Sequence, residues 1–475
     1  MVPVTISPAE SPEAFACRHF GSLDLGDRRL TRRAVVIARS IAAAPAASIP
    51  KQAADPHQAK AAYRFFSHPA VTSDTISNRH LELTLEAART HPVVLFLQDS
   101  SHLSFAPPEG RAGLGPVGST HASYGLMMHA TLALVPGEHG AALGLADLRL
   151  WARDAKPRKE TQIQRRARGD RESLRWSEVV ETVGTPPAGA RYVHVADREA
   201  DVWETFTAVA KVDADCVIRA CGAAARRKAS PGHAEGLTRA DADELRPLVR
   251  GLPTSGRCKV DRAGGAGRKA RTIELSVSYA AVTLHPPKIK KGSSKESPIR
   301  LWAVRVWEAS PPSNETPIEW VLLTAMPVND VADALRVADW YRHRWTIEEY
   351  FKCLKTGCKV QERQLQEGER LEPLIAMLSI AALRLLNVKR IAKLTPEVPA
   401  TDAVPREYVE VLSKLRGIPL KKLTCDRFWR ETAKLGGFMG RRGDGDPGWQ
   451  TLWSGWHDLH LIVMGARLFG DRSYG

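Results

Sequence analysis

Three carboxylates in this sequence stand where acids can do metal chemistry. Asp99 follows the apolar run of HPVVLFLQD, Asp197 follows that of RYVHVAD, and Glu348 lies in TIEEYFK. A carboxylate at the tip of a buried strand costs free energy unless something satisfies it. A lone Asp there is ordinarily a turn former or a helix cap. Two of them, with a Glu among cations, point to chemistry. Cleaving a phosphodiester needs an activated water or hydroxyl, and charge stabilisation on the entering and leaving oxygens. Two Mg²⁺ ions about 4 Å apart supply both. Mg²⁺ takes hard oxygen ligands and keeps several waters, so a few carboxylates suffice. One Asp would bridge the metals and the other acids would each hold one.

The segment around Glu348 is the most specific feature. Tyr341, Arg344, Glu348, Lys352 and Lys355 recur at steps of three or four residues, which places them on one face of a continuous α-helix. That face carries an acid, three cations and a phenol. A salt-bridge ladder Arg344–Glu348–Lys352 is the bland alternative, contributing a few tenths of a kcal/mol per pair, roughly. It leaves Tyr341 and Lys355 unexplained. The functional reading puts the acid on a metal and the cations on neighbouring phosphates. Thr346 and Glu349 have the spacing of a capping box, and Gly357 sits where a C-terminal cap is expected.

The elements that must hold these residues alternate in type. Residues 1 to about 70 read as helical, with RRLTRRAVVIARSIAAA placing Arg28, Arg29, Arg32 and Arg33 on its first turns, and AKAAYRFFSHP following. Cations there oppose the helix dipole, so something must compensate, and a phosphate backbone could do it. From about residue 90 the pattern becomes mixed strands and helices: a strand ending at Asp99 with room for a second short one in SSHLSF, two more strands of a meander (LMMHATLALV, GAALGLADLRLWA), a strand breaking at Asp197 into a helix, and the strand DADCVIRA. This predicts an α/β sheet. Residues 221 to about 317 are rich in Gly, Pro and Ser and read as a β-rich insertion with two basic loops, DRAGGAGRKAR and HPPKIKKGSSKESP. The remainder is helical, apart from the strand EWVLLTAM.

Composition narrows the class. The chain has 475 residues, 43% of them hydrophobic, enough for several domains with real cores; its net charge of +15 favours a polyanionic partner. Seven irregularly spaced cysteines without a CxxC pair exclude a disulfide framework and a zinc module, and fit the cytosol. The N-terminus has neither a basic n-region nor an apolar h-region, so no signal peptide is expected. Leu374 to Leu383, the most apolar stretch, is half a membrane span and reads as a buried helix.

The pattern Tyr-x2-Arg-x3-Glu-x6-Lys, present as Tyr341, Arg344, Glu348 and Lys355, resembles the signature of cut-and-paste transposases of bacterial insertion sequences. FGSLDLGDRRLTRR, AYRFFSHP, FLQDSSHLSF, VADREADVWE, TPIEWVLLT and LGGFMGRRGDGDPGWQTLWSGW resemble further blocks of that family, in its order and over nearly the whole chain. The resemblance implies an RNase-H-like catalytic core with the insertion between the second Asp and the Glu. It implies a helical DNA-end-binding domain over 1–72, a catalytic domain over 73–370 and a helical dimerisation domain over 371–475. Asp99, Asp197 and Glu348 match the metal-binding catalytic triad, with Mg²⁺ as cofactor and Mn²⁺ able to substitute. Tyr341, Arg344, Lys352 and Lys355 match residues that grip transposon-end phosphates and a flipped nucleotide. Trp320, which by itself reads as core, matches an aromatic that stacks on the flipped base. Arg29 and Arg33 match the end-binding helix; Arg28 stands where a proline is usual and Leu30 where an arginine is, so the end sequence does not carry over. Trp449, Trp453 and Trp456 fall in the dimerisation region, though they also suit an ordinary core.

The implied partners are double-stranded DNA, as transposon ends and target, and a second copy of the chain in a synaptic complex, with no membrane and a cytoplasmic location. A DNA hairpin intermediate is implied by the family alone. Rival readings are a catalytically silent end-binding regulator, a host nuclease of the same fold, and a structural basic protein. The intact acids and helix signature oppose the first, inverted repeats flanking the gene would exclude the second, and the third leaves the triad unexplained.

Overall fold

The computed structural model describes residues 10–105, 112–118, 123–137, 140, 142–154, 161, 164–165, 168–222, 227–233, 236, 238–240, 242–262, 271–287, 296–313, 315–394, 396–441 and 444–470. Much of both basic loops of the insertion, 263–270 and 288–295, lies outside these residues. In chain order the helices of the N-terminal region are α1 (Pro12–Phe20), α2 (Arg28–Ala43), α3 (Ile49–Gln52), α4 (Pro56–Phe66) and α5 (Ser73–Ala88). There follow β1 (Val93–Ser104), β2 (Gly115–Val117), β3 (Ser123–Leu134), β4 (Ala142–Trp151), α6 (Arg175–Val183), β5 (Arg191–Ala196), α7 (Trp203–Lys211) and β6 (Asp215–Arg219). The insertion supplies β7 (Lys228–Pro231), β8 (Asp243–Glu244), α8 (Leu245–Arg250), β9 (Gly256–Arg262), β10 (Arg271–Leu284) and β11 (Ile299–Glu308), before β12 (Glu319–Thr324). The chain ends on α9 (Val331–Arg342), α10 (Trp345–Lys352), α11 (Gly368–Leu394), α12 (Arg406–Arg416), α13 (Cys425–Leu435) and α14 (Trp449–Gly470).

The N-terminal helices begin where polar caps take up their free amide groups. Ser11 accepts from the Ala14 amide, Asp55 from Gln58, and Thr72 and Thr75 cap each other's backbone. At α2 the compensation demanded by its arginines is Asp27, which accepts from the Arg29 amide at 2.8 Å and pairs with the Arg29 guanidinium. The carboxylate at the N-cap supplies the negative charge that the helix dipole favours there.

The chain divides into two compact units, one of Met1–His91, Ser100–Pro157 and Thr346–Gly475, the other of Pro92–Asp99 and Arg158–Trp345. In the first, β3 pairs antiparallel with β4 as the meander requires, and α5 and α11 pack on β4. His80 of α5 ties three elements together: its Nε2 accepts from the Leu145 amide of β4 at 3.0 Å, and its Nδ1 lies 3.2 Å from Nδ1 of His19 in α1. Leu374 to Leu383 fall inside α11 and are buried. No helix among the described residues is long and apolar enough to cross a membrane. Trp453 and Trp456 of α14 are also buried, Trp456 stacking on Tyr408 at 4.8 Å. The same helix leaves Leu461, Ile462 and Met464 exposed.

In the second unit β1, β5 and β6 run parallel, and β12, β11 and β10 continue the sheet antiparallel. The insertion is therefore an antiparallel extension, with β9 and β7 both pairing with β10. The strand carrying Asp99 differs from expectation. It does not end at the acid but runs on to Ser104, because β3 continues to offer a partner: the Phe105 amide donates to the Tyr124 carbonyl at 3.0 Å.

The helical segment also differs. The turn His343–Arg344 separates α9 from α10, and Cys353–Gly357 form a π-turn, so the five residues from Tyr341 to Lys355 do not lie on one continuous α-helix. Thr346 is no cap. It lies inside α10, where its hydroxyl accepts from the Arg390 guanidinium at 2.7 Å. Gly357 closes the π-turn for a packing reason: a Cβ there would lie 2.7 Å from Nε1 of Trp453.

Candidate active site

Register places the first two acids. Every recorded pair between β1 and β5, from Val93↔Arg191 to Leu97↔Val195, joins residues 98 apart in sequence, and so does Asp99 with Asp197. Between β5 and β6 the offset is 22, from Val193↔Asp215 to Ala196↔Ile218, and Asp197 with Arg219 continues it. Adjacent strands lie about 4.8 Å apart with register partners on the same face. Asp99 within β1, Asp197 just past the end of β5 and Arg219 at the end of β6 continue these offsets beyond the last recorded pairs, beside the carboxyl ends of β5 and β6, where open α/β sheets bind their ligands.

Contacts within this unit fit these offsets. Arg219 approaches Asp197 at 3.5 Å and the Tyr341 hydroxyl donates to the same carboxylate at 3.3 Å. Asp197 also accepts from the Arg198 amide at 2.7 Å. Arg344 reaches Asp99 at 3.5 Å, and its guanidinium sits 5.8 Å from the Tyr341 ring centre. Trp320 of β12 is half-buried, its ring 5.2 Å from Tyr341, so it is not the enclosed core residue its sequence suggests. Burial raises the Tyr341 pKa above the ordinary phenol value, with the neighbouring Asp197 charge adding to it. The phenol is therefore a neutral hydrogen-bond donor at working pH.

Glu348, Lys352 and Lys355 belong to the other compact unit. Glu348 is half-buried on α10 and Lys352 exposed at its end. Lys355, on the π-turn, donates to the Ser101 hydroxyl at 2.8 Å, and burial lowers its pKa. A phosphate beside such an ammonium would restore the charged form. In α2, Arg33 donates to Gln58, while Arg29 is largely solvent-exposed. Arg33 and Lys355 line the same open cavity of about 1850 Å³, with Lys51, Lys359, Arg363 and Trp453 also on its walls.

The donor chemistry suits a hard divalent cation. Asp99 and Asp197 offer only oxygen, and continuing the β1–β5 offset of 98 would align them. Each now faces a guanidinium, the charge a metal would bring. Among the described residues no group of three or more His, Cys, Asp or Glu side chains is placed to hold a metal ion; Mg²⁺ keeps several waters, so two carboxylates could supply part of its shell.

Two residues that contact these candidates, each within its own unit, were missed by sequence reasoning. Arg219 gave the same signal as the acids, a charge at the end of a buried strand, but its relevance depends on β6 lying next to β5. Ser101 gave none, because nothing in DSSHLSF distinguishes one serine from the next.

Three family models match the chain: Transposase DNA-binding over residues 12–71, Transposase DDE domain over 149–384, and Transposase Tn5 dimerisation domain over 380–475. The DDE match includes Asp197 and Glu348, while Asp99 precedes it. A domain of this class has the RNase-H-like fold and cleaves and transfers DNA strands with divalent metal ions. DNA is accordingly the partner, and the C-terminal match makes the protein a homodimer. With DNA-binding, catalytic and dimerisation modules in this order, the chain belongs to the insertion-sequence DDE transposases of the Tn5 type.

Proposed function

We propose that Asp99, Asp197 and Glu348 are the catalytic acids of this transposase and that Mg²⁺ is its working metal. The alignment of Asp99 with Asp197 by a shared strand register supports this most directly. When bound, the metal supplies an acidified water and charge stabilisation on the phosphoryl oxygens. The protein's own residues orient the substrate. Tyr341, Arg344, Lys352 and Lys355 hold end phosphates, with Lys355 steadied by Ser101. Arg219 neutralises Asp197 until the substrate complex forms. Trp320, next to Tyr341, stacks on a nucleotide turned out of the duplex. Arg29 and Arg33 of α2 bind the element's ends, within a functional division into residues 1–72, 73–370 and 371–475.

The reaction order we infer is a first-strand nick at each end, attack of the freed 3′-OH on the opposite strand to close a hairpin, hydrolysis of the hairpin, and attack of the 3′-OH on target DNA. The two ends are held in one dimeric synaptic complex in the cytoplasm. Strand cleavage on a plasmid carrying the gene's native flanks tests this. Mg²⁺-dependent cuts at the element's ends, a hairpin species on denaturing gels, and loss of both in Glu348→Ala are expected. Binding of ends without cleavage by the intact protein would favour a silent regulator instead.

A further inference from the structure

On the sheet face opposite the acids, the second unit holds a polar pair that the chemistry above does not use. Gln98 immediately precedes Asp99, and His194 lies three residues before Asp197; both are about 1% exposed. The Gln98 amide and His194 Nδ1 are 3.0 Å apart. The His194 ring also stacks on Phe96, its register partner, at 5.4 Å and 23°. Its Nε2 is buried with no hydrogen-bond partner among the described residues, and burial pushes its pKa down to about 3. The ring is therefore neutral at any working pH. An apolar side chain would avoid the cost of this orphaned nitrogen.

What the pair offers in return is register. Leu95, Phe96 and Leu97 of β1 and Val193, Val195 and Ala196 of β5 are buried on both faces. A one-residue slip would exchange the two faces, but a two-residue slip keeps each side chain on its own face, so burial alone discriminates against it less. It would nonetheless displace Asp197 along the strand by roughly 6–7 Å relative to Asp99. The Gln98–His194 bond is diagonal across the two strands, and a slip that carried the two residues a further two positions apart would break it.

We infer that Gln98 and His194 are positioning residues that lock β1 against β5, and so hold Asp99 and Asp197 at the spacing that metal-dependent strand cleavage needs. The inference rests on those two acids being catalytic. Its basis is a hydrogen bond with a defined geometry between the strands that carry them.

The test is the double variant Gln98→Leu/His194→Leu in the full-length protein. Filling the site with apolar atoms removes the orphaned nitrogen, so thermal stability is expected to stay at or above that of the parent. Strand cleavage in Mg²⁺ is expected to fall roughly 100-fold, the scale of a misplacement of about 1 Å. Half-maximal cleavage should need more Mg²⁺, with partial recovery in Mn²⁺, while end binding is unchanged. A folded double variant with parental cleavage and metal dependence overturns the proposal. Should that variant not fold, Gln98→Met, similar in volume and unable to bond His194, decides on the same readouts: reduced cleavage with a raised Mg²⁺ requirement supports the lock, and parental kinetics overturn it. Asp99→Asn and Asp197→Asn are run beside them. If those still cleave, the assignment of the acids fails; if they are dead and the pair variants are not, only the register lock fails.

Discussion

The parallel strands β1, β5 and β6 and the segment from Tyr341 to Gly357 both carry residues of the proposed site, but they place them by different physics. In the sheet, backbone pairing conveys position between residues nearly a hundred apart, and the constant offsets, continued past the last recorded pairs, run through Asp99, Asp197 and Arg219. In the helical segment, position depends on local periodicity. A turn at His343–Arg344 and a π-turn at Cys353–Gly357 interrupt that periodicity, so a perfect spacing of three and four in sequence does not run along one continuous α-helix. Ladder geometry persists as long as the partner strand does, whereas helical geometry must be renewed at every turn.

The sharpest way to break this contrast is to remove one of the aligned acids. Asp197→Asn should lower strand cleavage by three orders of magnitude or more, on the scale of losing a group that acts only in the transition state, about 4 kcal/mol. End binding in a gel shift should survive. Retained cleavage would mean that the register places an acid of no consequence. A smaller effect is expected where the helical segment meets the sheet. Trp320→Ala should cost about 1–3 kcal/mol of base stacking, read as a drop in hairpin formation with the first nick preserved. Equal loss of both steps would instead mark Trp320 as support for Tyr341.

The π-turn is tested through Gly357. An Ala Cβ would press on Trp453 at 2.7 Å, and relieving such overpacking costs typically about 1–3 kcal/mol. The melting temperature of Gly357→Ala should fall, with Lys355-dependent end binding falling with it. A variant of parental stability would show that the turn yields freely.

The smallest effect per step is a pH dependence. His80, buried between His19 and the Leu145 amide, and His194 both have pKa values depressed by burial, His194 to about 3. Unfolded histidine takes a proton near pH 6.5 and the folded rings do not. Their stability is complete above that pH and falls as pH drops towards the folded value, by about 1.4 kcal/mol per unit for each ring. Denaturant titrations at pH 7.5 and 5.5 should show the loss, and Gln98→Leu/His194→Leu should show a shallower slope than the parent.

The sequence made much of this legible. The β1, β5 and β6 strands, the insertion and the apolar helix α11 follow from runs of apolar residues bounded by turn formers. The two acids followed from where those runs stop. Thr346 misled because its spacing to Glu349 is that of a cap, yet Arg390, 44 residues on, claims its hydroxyl. Arg219 was readable as a charge at a strand end but not as a neighbour of Asp197, since strand order is not written in any local pattern.

Residue type and spacing by themselves determined which side chains are chemically capable and much of which segments are strand or helix, and favoured a polyanionic partner, because hydrophobic periodicity and charge are properties of the chain. Only the tertiary structure decided which strand lies beside which, the offsets that align Asp99 with Asp197 and Arg219, and the breaks that divide the Tyr341–Lys355 face. Those outcomes depend on hydrogen bonds and packing between residues remote in sequence, where no local preference acts.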